Sequence, residues 1–210
     1  SVSLTMVSLL LFTFGVGALG QEPSSEDPRE ILVLANRILA MEGLVGPYGH
    51  VSLRVGDEAS FHIADHRSPD QVVLDDITEV NLDITPEEAQ ARGLYREVFI
   101  HASIYNELPE VKAVVHTHSP NAVALGSLKV PDNKIFPTTN PGANLGNFIP
   151  IYPIVDLIGS PGKGLEVARA LEGQNGVLLR GHGTVAVGSI LEQAVLRAIY
   201  LEFEARSQMS

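Results

Sequence analysis

Val111-Lys112-Ala113-Val114-Val115-His116-Thr117-His118 and Val177-Leu178-Leu179-Arg180-Gly181-His182-Gly183-Thr184-Val185-Ala186-Val187 are the two runs on which the reading of the fold turns. Both are dense in valine and other apolar residues, which predicts buried strands. The first reads as one strand; the second as two, 177–179 and 184–187, around Arg180-Gly181-His182-Gly183. Outward from these runs the period changes to that of helices. A helix is predicted over 94–108, ended by Pro109, another over 121–128, and a third over 163–171, stopped at Gly173. The last helix is predicted to start at Ser189, with Glu192 completing a capping box.

Upstream, Asp27-Pro28-Arg29-Glu30 is a helix start: a capping aspartate, a proline at the first position and an acid in the first turn. Ile31, Leu34, Ile38 and Leu39 supply an apolar stripe until Gly43. Strands are predicted over 50–55 and 60–64 around a turn at Gly56-Asp57, with shorter ones over 71–74 and 79–82. The segment 131–153, rich in proline, glycine and asparagine, is predicted to be a long loop over a site. Helices alternating with antiparallel strands, without an internal repeat, give an α/β sandwich.

The chain of 210 residues has room for one domain, and 45% hydrophobic against 19% charged residues is a globular composition. A net charge of −11 argues against nucleic acid or an anionic membrane surface as partner. It leaves room for an anionic small molecule, because a few arginines can dominate one cleft. No cysteine is present, which excludes disulfides, thiolate ligands and cysteine nucleophiles. Residues 6–20, MVSLLLFTFGVGALG, are too short an apolar run for a stable membrane span and end in the small-x-small pattern Ala18-Leu19-Gly20. Residues 1–20 are therefore predicted to be a signal peptide, 21–28 a polar linker and 29–210 the domain. Such a signal predicts a secreted or periplasmic protein, and its absence a cytoplasmic one.

His116 and His118 are two apart in a strand, so both imidazoles point to one face and can converge on a cation. A hydrogen-bonded surface pair explains that spacing too. A third histidine, His182, sits between two glycines that permit a tight turn and close backbone approach. Glu97 lies on the helix before the His116 strand, one turn from His101, and a glutamate among apolar neighbours needs a metal, a proton or a cation. Together these predict a divalent-metal site built from His116, His118 and His182, with Glu97 as fourth ligand or as the acid/base beside it.

Three segments carry a resemblance to a known family: Glu97-Val-Phe-Ile-His101, Val115-His116-Thr-His118-Ser119 and Arg180-Gly-His182-Gly-Thr-Val-Ala-Val-Gly188. They resemble the class II aldolase/adducin family over about 29–209. The resemblance implies a three-layer α/β/α sandwich with a mainly antiparallel central sheet, and a homotetramer with sites near subunit interfaces. It implies a divalent metal, zinc first and manganese or iron as alternatives, on the three histidines, with Glu97 as ligand and catalytic acid/base. The family's sugar-phosphate enzymes cradle the phosphate with Gly-Asn, Thr-Gly and Ser-Ser pairs. The matching places here read Gly49-His50, His66-Arg67 and Tyr95-Arg96, which cannot form the same close nest. Arg67 and Arg96 can instead grip a carboxylate in bidentate fashion. His50 is either a substrate or acid/base group or a histidine that merely begins a strand.

That pattern resembles the family branch acting on unphosphorylated acids, of the pyridine-dicarboxylate decarboxylase and prenyl-hydroxybenzoate-forming oxygenase types. The expectation is a metal-dependent carbon–carbon lyase, aldolase or decarboxylase, acting through a metal-stabilised enolate on a hydroxy- or keto-acid. The alternatives are a sugar-phosphate aldolase or epimerase, a non-haem iron oxygenase on the same fold, and a non-catalytic adducin-like module.

Overall fold

Asp27 accepts a hydrogen bond from the Arg29 amide at 3.0 Å, and Pro28 takes the first position of helix α1 (Pro28–Met41). The computed structural model describes residues 27–56 and 59–210; the expected signal peptide, the linker up to residue 26 and Asp57 of the expected turn lie outside them. Helix α1 buries Leu32, Ala35, Asn36 and Leu39. Leu34 and Ile38, expected on the core stripe, face outward instead. The sequence pattern holds two apolar stripes on one helix, and only one meets the sheet.

Eight strands form one sheet in the order β3-β2-β1-β4-β8-β7-β6-β5. They are β1 (His50–Arg54), β2 (Ser60–Ala64), β3 (Ile77–Asn81), β4 (Ala113–Thr117), β5 (Lys134–Ile135), β6 (Ile149–Tyr152), β7 (Gly176–Leu179) and β8 (Gly183–Gly188). Among the described residues only β6 and β7 run parallel. Helices α3 (Val98–Glu107) and α5 (Pro161–Ala170) pack together over one face. Helices α1, α4 (Pro120–Gly126) and α6 (Leu191–Met209) cover the other, which gives the expected three-layer sandwich. No helix among the described residues is long and apolar enough to cross a membrane.

Four departures from the sequence expectation have physical reasons. The segment 71–74 makes no strand: Pro69–Gln71 and Leu74–Asp76 are 3₁₀ turns, Asp76 bonding the Val73 amide, and β3 starts at Ile77. The helix expected from 94 starts only at Val98, because Gly93, at φ +67°, ends a short helix α2 (Pro86–Ala91) capped by Thr85. The loop expected over 131–153 contains β6, buried along its whole length, so that no alternation betrays it. The Ser189 capping box does not form: the Ser189 amide and hydroxyl both donate to the Gln193 side chain, and α6 starts at Leu191.

Strand register places the chemistry. His50 pairs with His116 and Ser52 with Val114 across β1 and β4. Residues two apart share a face, so His50, Ser52 and His116 all look toward α3. Glu97, at the head of α3, then faces the end of β4.

Candidate metal centre

Glu97 is the N-cap of α3, with φ −95° and ψ 14°, rather than a residue within the helix. That position turns its side chain over the C-terminal end of β4. The residue is 7% exposed, and its carboxylate meets three imidazoles. His182 Nε2 lies 3.0 Å from Oε1, His116 Nε2 3.3 Å from Oε2, and His118 Nε2 4.0 Å from Oε2. The His116 and His118 Nε2 atoms are 2.9 Å apart. The three rings stand steeply inclined to one another, at 77°, 76° and 70°, with centroids 4.8, 5.1 and 5.0 Å apart, around one point.

The donor set fits a divalent cation. His116 Nδ1 is 2.8 Å from the Thr184 carbonyl, which can only accept, so Nδ1 donates and Nε2 is the ring nitrogen turned to the centre. That nitrogen faces a second imidazole nitrogen and a carboxylate, an arrangement suited to a cation between them. All four ligand atoms lie within 4.8 Å of one another. Bonds of about 2.0–2.1 Å at the tetrahedral angle would put ligand atoms roughly 3.3 Å apart, close to the spacings to His182 and His116. His182 Nδ1 is buried without a partner among the described residues, where Glu97 alone orients that ring by hydrogen bonding.

The electrostatics agree. Burial alone would raise the Glu97 pKa, but the charge and hydrogen bond of His116 and the hydrogen bond of His182 hold it far below the carboxylate range. Burial, then His116 and His182, push His118 down to about 4. Burial, then the neighbouring histidines His101 and His116, keep His50 well below its usual value. His50 and His118 therefore present neutral rings near pH 7, and a neutral imidazole is the form that ligates.

A cavity of about 220 Å³ opens beside Glu97, lined among others by His50, His66, Tyr95, Arg96 and Leu157. It shares His66, Tyr95 and Arg96 with a neighbouring cavity of about 440 Å³ that reaches α2. Of the expected substrate-binding residues, His50 and Arg96 are therefore at the site. Arg67 is not: its Nε lies 2.9 Å from Asp76 Oδ2, and it lines neither cavity. The Tyr95 hydroxyl donates to the Arg67 carbonyl, so this segment contributes backbone anchoring, with His66 taking the place in the cavity.

The sequence reading missed what lies behind His50. His50 Nδ1 is 2.6 Å from His101 Nε2, His101 Nδ1 is 2.6 Å from Ser52 Oγ, and Ser52 Oγ is 2.7 Å from the Tyr105 hydroxyl. The signal was present: Ser52 follows His50 by two in a strand, and Tyr105 follows His101 by four in a helix.

Residues 30–209 match the Class II Aldolase and Adducin N-terminal domain family. A 3,4-dihydroxyphthalate decarboxylase from Arthrobacter keyseri is 34% identical over 186 residues, 83% of this chain and 74% of that protein. A protein of the same name from Rhodococcus jostii is 30% identical over 90% of this chain and 82% of its own length. Among solved structures, L-fuculose-1-phosphate aldolase from Thermus thermophilus superposes with a TM-score of 0.73 at 25% identity. The superposition covers 87% of this chain and 94% of that one.

Proposed function

The chain belongs to the class II aldolase and adducin family, and we propose that it is a carboxy-lyase releasing CO₂ from an unphosphorylated hydroxy- or keto-acid. It is a metal-dependent lyase by its family and by its decarboxylase relatives. Glu97, His116, His118 and His182 are the proposed ligands, with zinc as the metal. The observation that carries the reading is the cavity beside Glu97. Two imidazoles, a phenol-bearing tyrosine and the Arg96 guanidinium line it, where the phosphate-handling branch has small donors. A guanidinium with no ion-pair partner among the described residues suits a carboxylate, which it can hold by two parallel hydrogen bonds.

A divalent cation on this ligand set supplies a Lewis acid for the charge that develops as a carbon–carbon bond breaks. The chain's own groups do the rest. Arg96 anchors a carboxylate that stays on the substrate, and Leu157 and Tyr95 limit water at the reacting carbon. As CO₂ leaves, the bonding pair remains on carbon, and a proton must replace it. Glu97, ionised in the resting site, is placed to take a proton from solvent and pass it to that carbon, and His50 to orient the substrate.

Homotetrameric assembly and export through residues 1–20 belong to the same proposal. The assembly is supported by the outward apolar stripe of α1, which with Leu191, Val195 and Leu196 of α6 forms an apolar groove of about 410 Å³ suited to a second copy.

The test is a comparison of reactions on purified protein loaded separately with Zn, Mn or Fe(II). CO₂ release from 3,4-dihydroxyphthalate or a related hydroxylated acid is expected to exceed cleavage of fuculose 1-phosphate. Faster aldol cleavage would overturn the substrate class, and oxygen consumption with Fe(II) would point to the oxygenase chemistry. Protein that takes up no metal would be the non-catalytic module.

A further inference from the structure

Ser52 and His101 are fully buried and Tyr105 nearly so, and none of the three lines the cavity or belongs to the ligand cluster. With His50 they form an unbroken chain of short hydrogen bonds, 2.6, 2.6 and 2.7 Å long, running from the cavity into the core. Its far end is the Lys112 carbonyl, 3.4 Å from the Tyr105 hydroxyl, which also takes the Arg54 amide. A carbonyl can only accept.

That terminus gives the chain a direction. Two fully buried imidazoles with no carboxylate bonded to either are neutral, so each carries one N–H. If Tyr105 donates to Lys112, Ser52 donates to Tyr105, His101 donates from Nδ1 to Ser52, and His50 donates from Nδ1 to His101 Nε2. Every hydrogen in the chain then has an acceptor. The reverse direction keeps the three short bonds and forfeits the one to Lys112. In the favoured direction the proton of His50 sits on Nδ1, and Nε2 is a bare lone pair. His50 lines the cavity beside Glu97 and Arg96, and Nε2 is the ring nitrogen left for a molecule there.

We propose that His101, Ser52 and Tyr105 are positioning residues that lock His50 in the Nδ1–H tautomer, so that the site selects a substrate bearing a hydroxyl group, whose O–H donates to His50 Nε2. This rests on the carboxy-lyase reading for the presence of an acid substrate, and it decides between the two acids left open there. A keto oxygen has no hydrogen to give, and would set two lone pairs against each other. A hydroxy-acid, aliphatic or phenolic, satisfies both His50 and Arg96.

The experiment is ¹⁵N NMR of histidine-labelled, zinc-loaded protein, in which two-bond correlations show which ring nitrogen carries the proton. The His50→Gln spectrum assigns the signal. Wild-type protein is expected to show His50 protonated on Nδ1. Tyr105→Phe removes the acceptor for Ser52, whose hydroxyl then turns to His101 Nδ1, and the His50 proton is expected to move to Nε2. The same variant should bind 3,4-dihydroxybenzoate roughly 3- to 10-fold more weakly, the effect of one hydrogen bond, with 3,4-dimethoxybenzoate unchanged. A merely structural role would not move the tautomer, and would weaken both probes alike. A wild-type proton on Nε2 overturns the proposal, as does a Tyr105→Phe protein with unaltered tautomer and affinity. Should that variant fail to fold, the wild-type spectrum decides alone. Absence of CO₂ release with the tautomer as expected would sink the carboxy-lyase reading and leave the hydroxyl selection standing.

Discussion

Gly183→Ala tests whether the distance between β4 and β8 is what assembles the metal centre. Gly183 follows His182 directly, and a Cβ there would stand 2.1 Å from the Thr117 carbonyl oxygen and 3.1 Å from His118 Cδ2. Ordinary contact for such atoms begins at 3.4 Å. The two strands would have to part by about 1 Å, and backbone on both sides makes that displacement unavoidable. Metal–ligand distances tolerate about 0.2 Å, so His182 would be carried out of reach of a cation held by His116 and His118. Loss of an outer-shell partner alone costs roughly 10- to 100-fold in affinity, and loss of a ligand should cost more, so we expect at least about a 100-fold fall. Overpacking should also cost about 1–3 kcal/mol of stability in the metal-free protein. Gly181→Ala is the control. Gly181 has φ +62° and no neighbour closer than 3.7 Å, so alanine there meets backbone strain of about 1–2 kcal/mol without forcing strands apart. Zinc affinity by chelator competition, with melting temperature measured with and without metal, separates the two. Metal at 100 times its Kd should stabilise the Gly181 variant by nearly the wild-type amount, about 2.7 kcal/mol, and the Gly183 variant hardly at all. If Gly183→Ala keeps affinity within tenfold of wild type, or if both variants lose it equally, the close strand approach does not build the site.

His116→Ala should abolish both bound metal and turnover, measured by elemental analysis and CO₂ release; full metal occupancy would refute the ligand assignment. Glu97→Gln, which keeps the shape and removes the charge, should lower kcat by roughly 10²- to 10⁴-fold, the usual worth of a placed acid or base. A drop in KM-determined affinity alone would assign Glu97 to binding. Glu204 is buried on α6 and accepts from the amides and hydroxyls of Thr138 and Thr139 and from Gln208, which pins the segment before β6. Burial opposes its ionisation, but these donors outweigh burial and hold its pKa below 4.5, so its stabilisation is complete above that pH and lost as pH falls through the lowered value. Glu204→Ala should cost about 2–5 kcal/mol in urea unfolding at pH 7, with the gap to wild type closing below pH 4.5; a constant gap would refute the linkage. Leu34→Glu with Leu196→Glu, both on the outward apolar groove, should convert an oligomer to monomer in sedimentation, and an unchanged sedimentation coefficient would remove that surface from the interface.

The parts legible in the sequence were those where one local rule decides. His116 and His118 converge because residues two apart along an extended run share a face, a pattern that carries one residue past the end of β4 at Thr117, and the Gly181-His182-Gly183 turn marks itself by its glycines. Where two local rules compete, tertiary packing chose. Helix α1 has two apolar stripes, and nothing in Ile31-Leu32-Val33-Leu34 says which one meets the sheet. Strand β6, Ile149-Pro150-Ile151-Tyr152, looks like loop because Pro150 lacks an amide hydrogen. Arg67 was expected to grip substrate because its position matches a cradle, yet nothing local reveals that Asp76, nine residues on in sequence, takes its guanidinium first. A charge's partner is a fact of the fold, not of the motif.

The same reasoning separates the two layers of the site. A metal needs lone pairs at one point, and any enzyme of this family that breaks a carbon–carbon bond can use the arrangement of Glu97 and three histidines. That centre is therefore silent about which bond breaks. Choice of substrate must come from groups that differ in what they accept and donate. Here those are the Arg96 guanidinium, which can only donate, and His50 Nε2, which the buried chain leaves able only to accept. A donor and an acceptor on one cavity wall read a carboxylate and a hydroxyl on one molecule. Reversing the chain at Tyr105 should turn His50 into a donor, so the same metal centre would come to prefer a carbonyl in the hydroxyl's place. A Tyr105→Phe protein that gains affinity for keto-acids as it loses affinity for hydroxy-acids would show that the specificity of this site is set three side chains behind the cavity-lining His50.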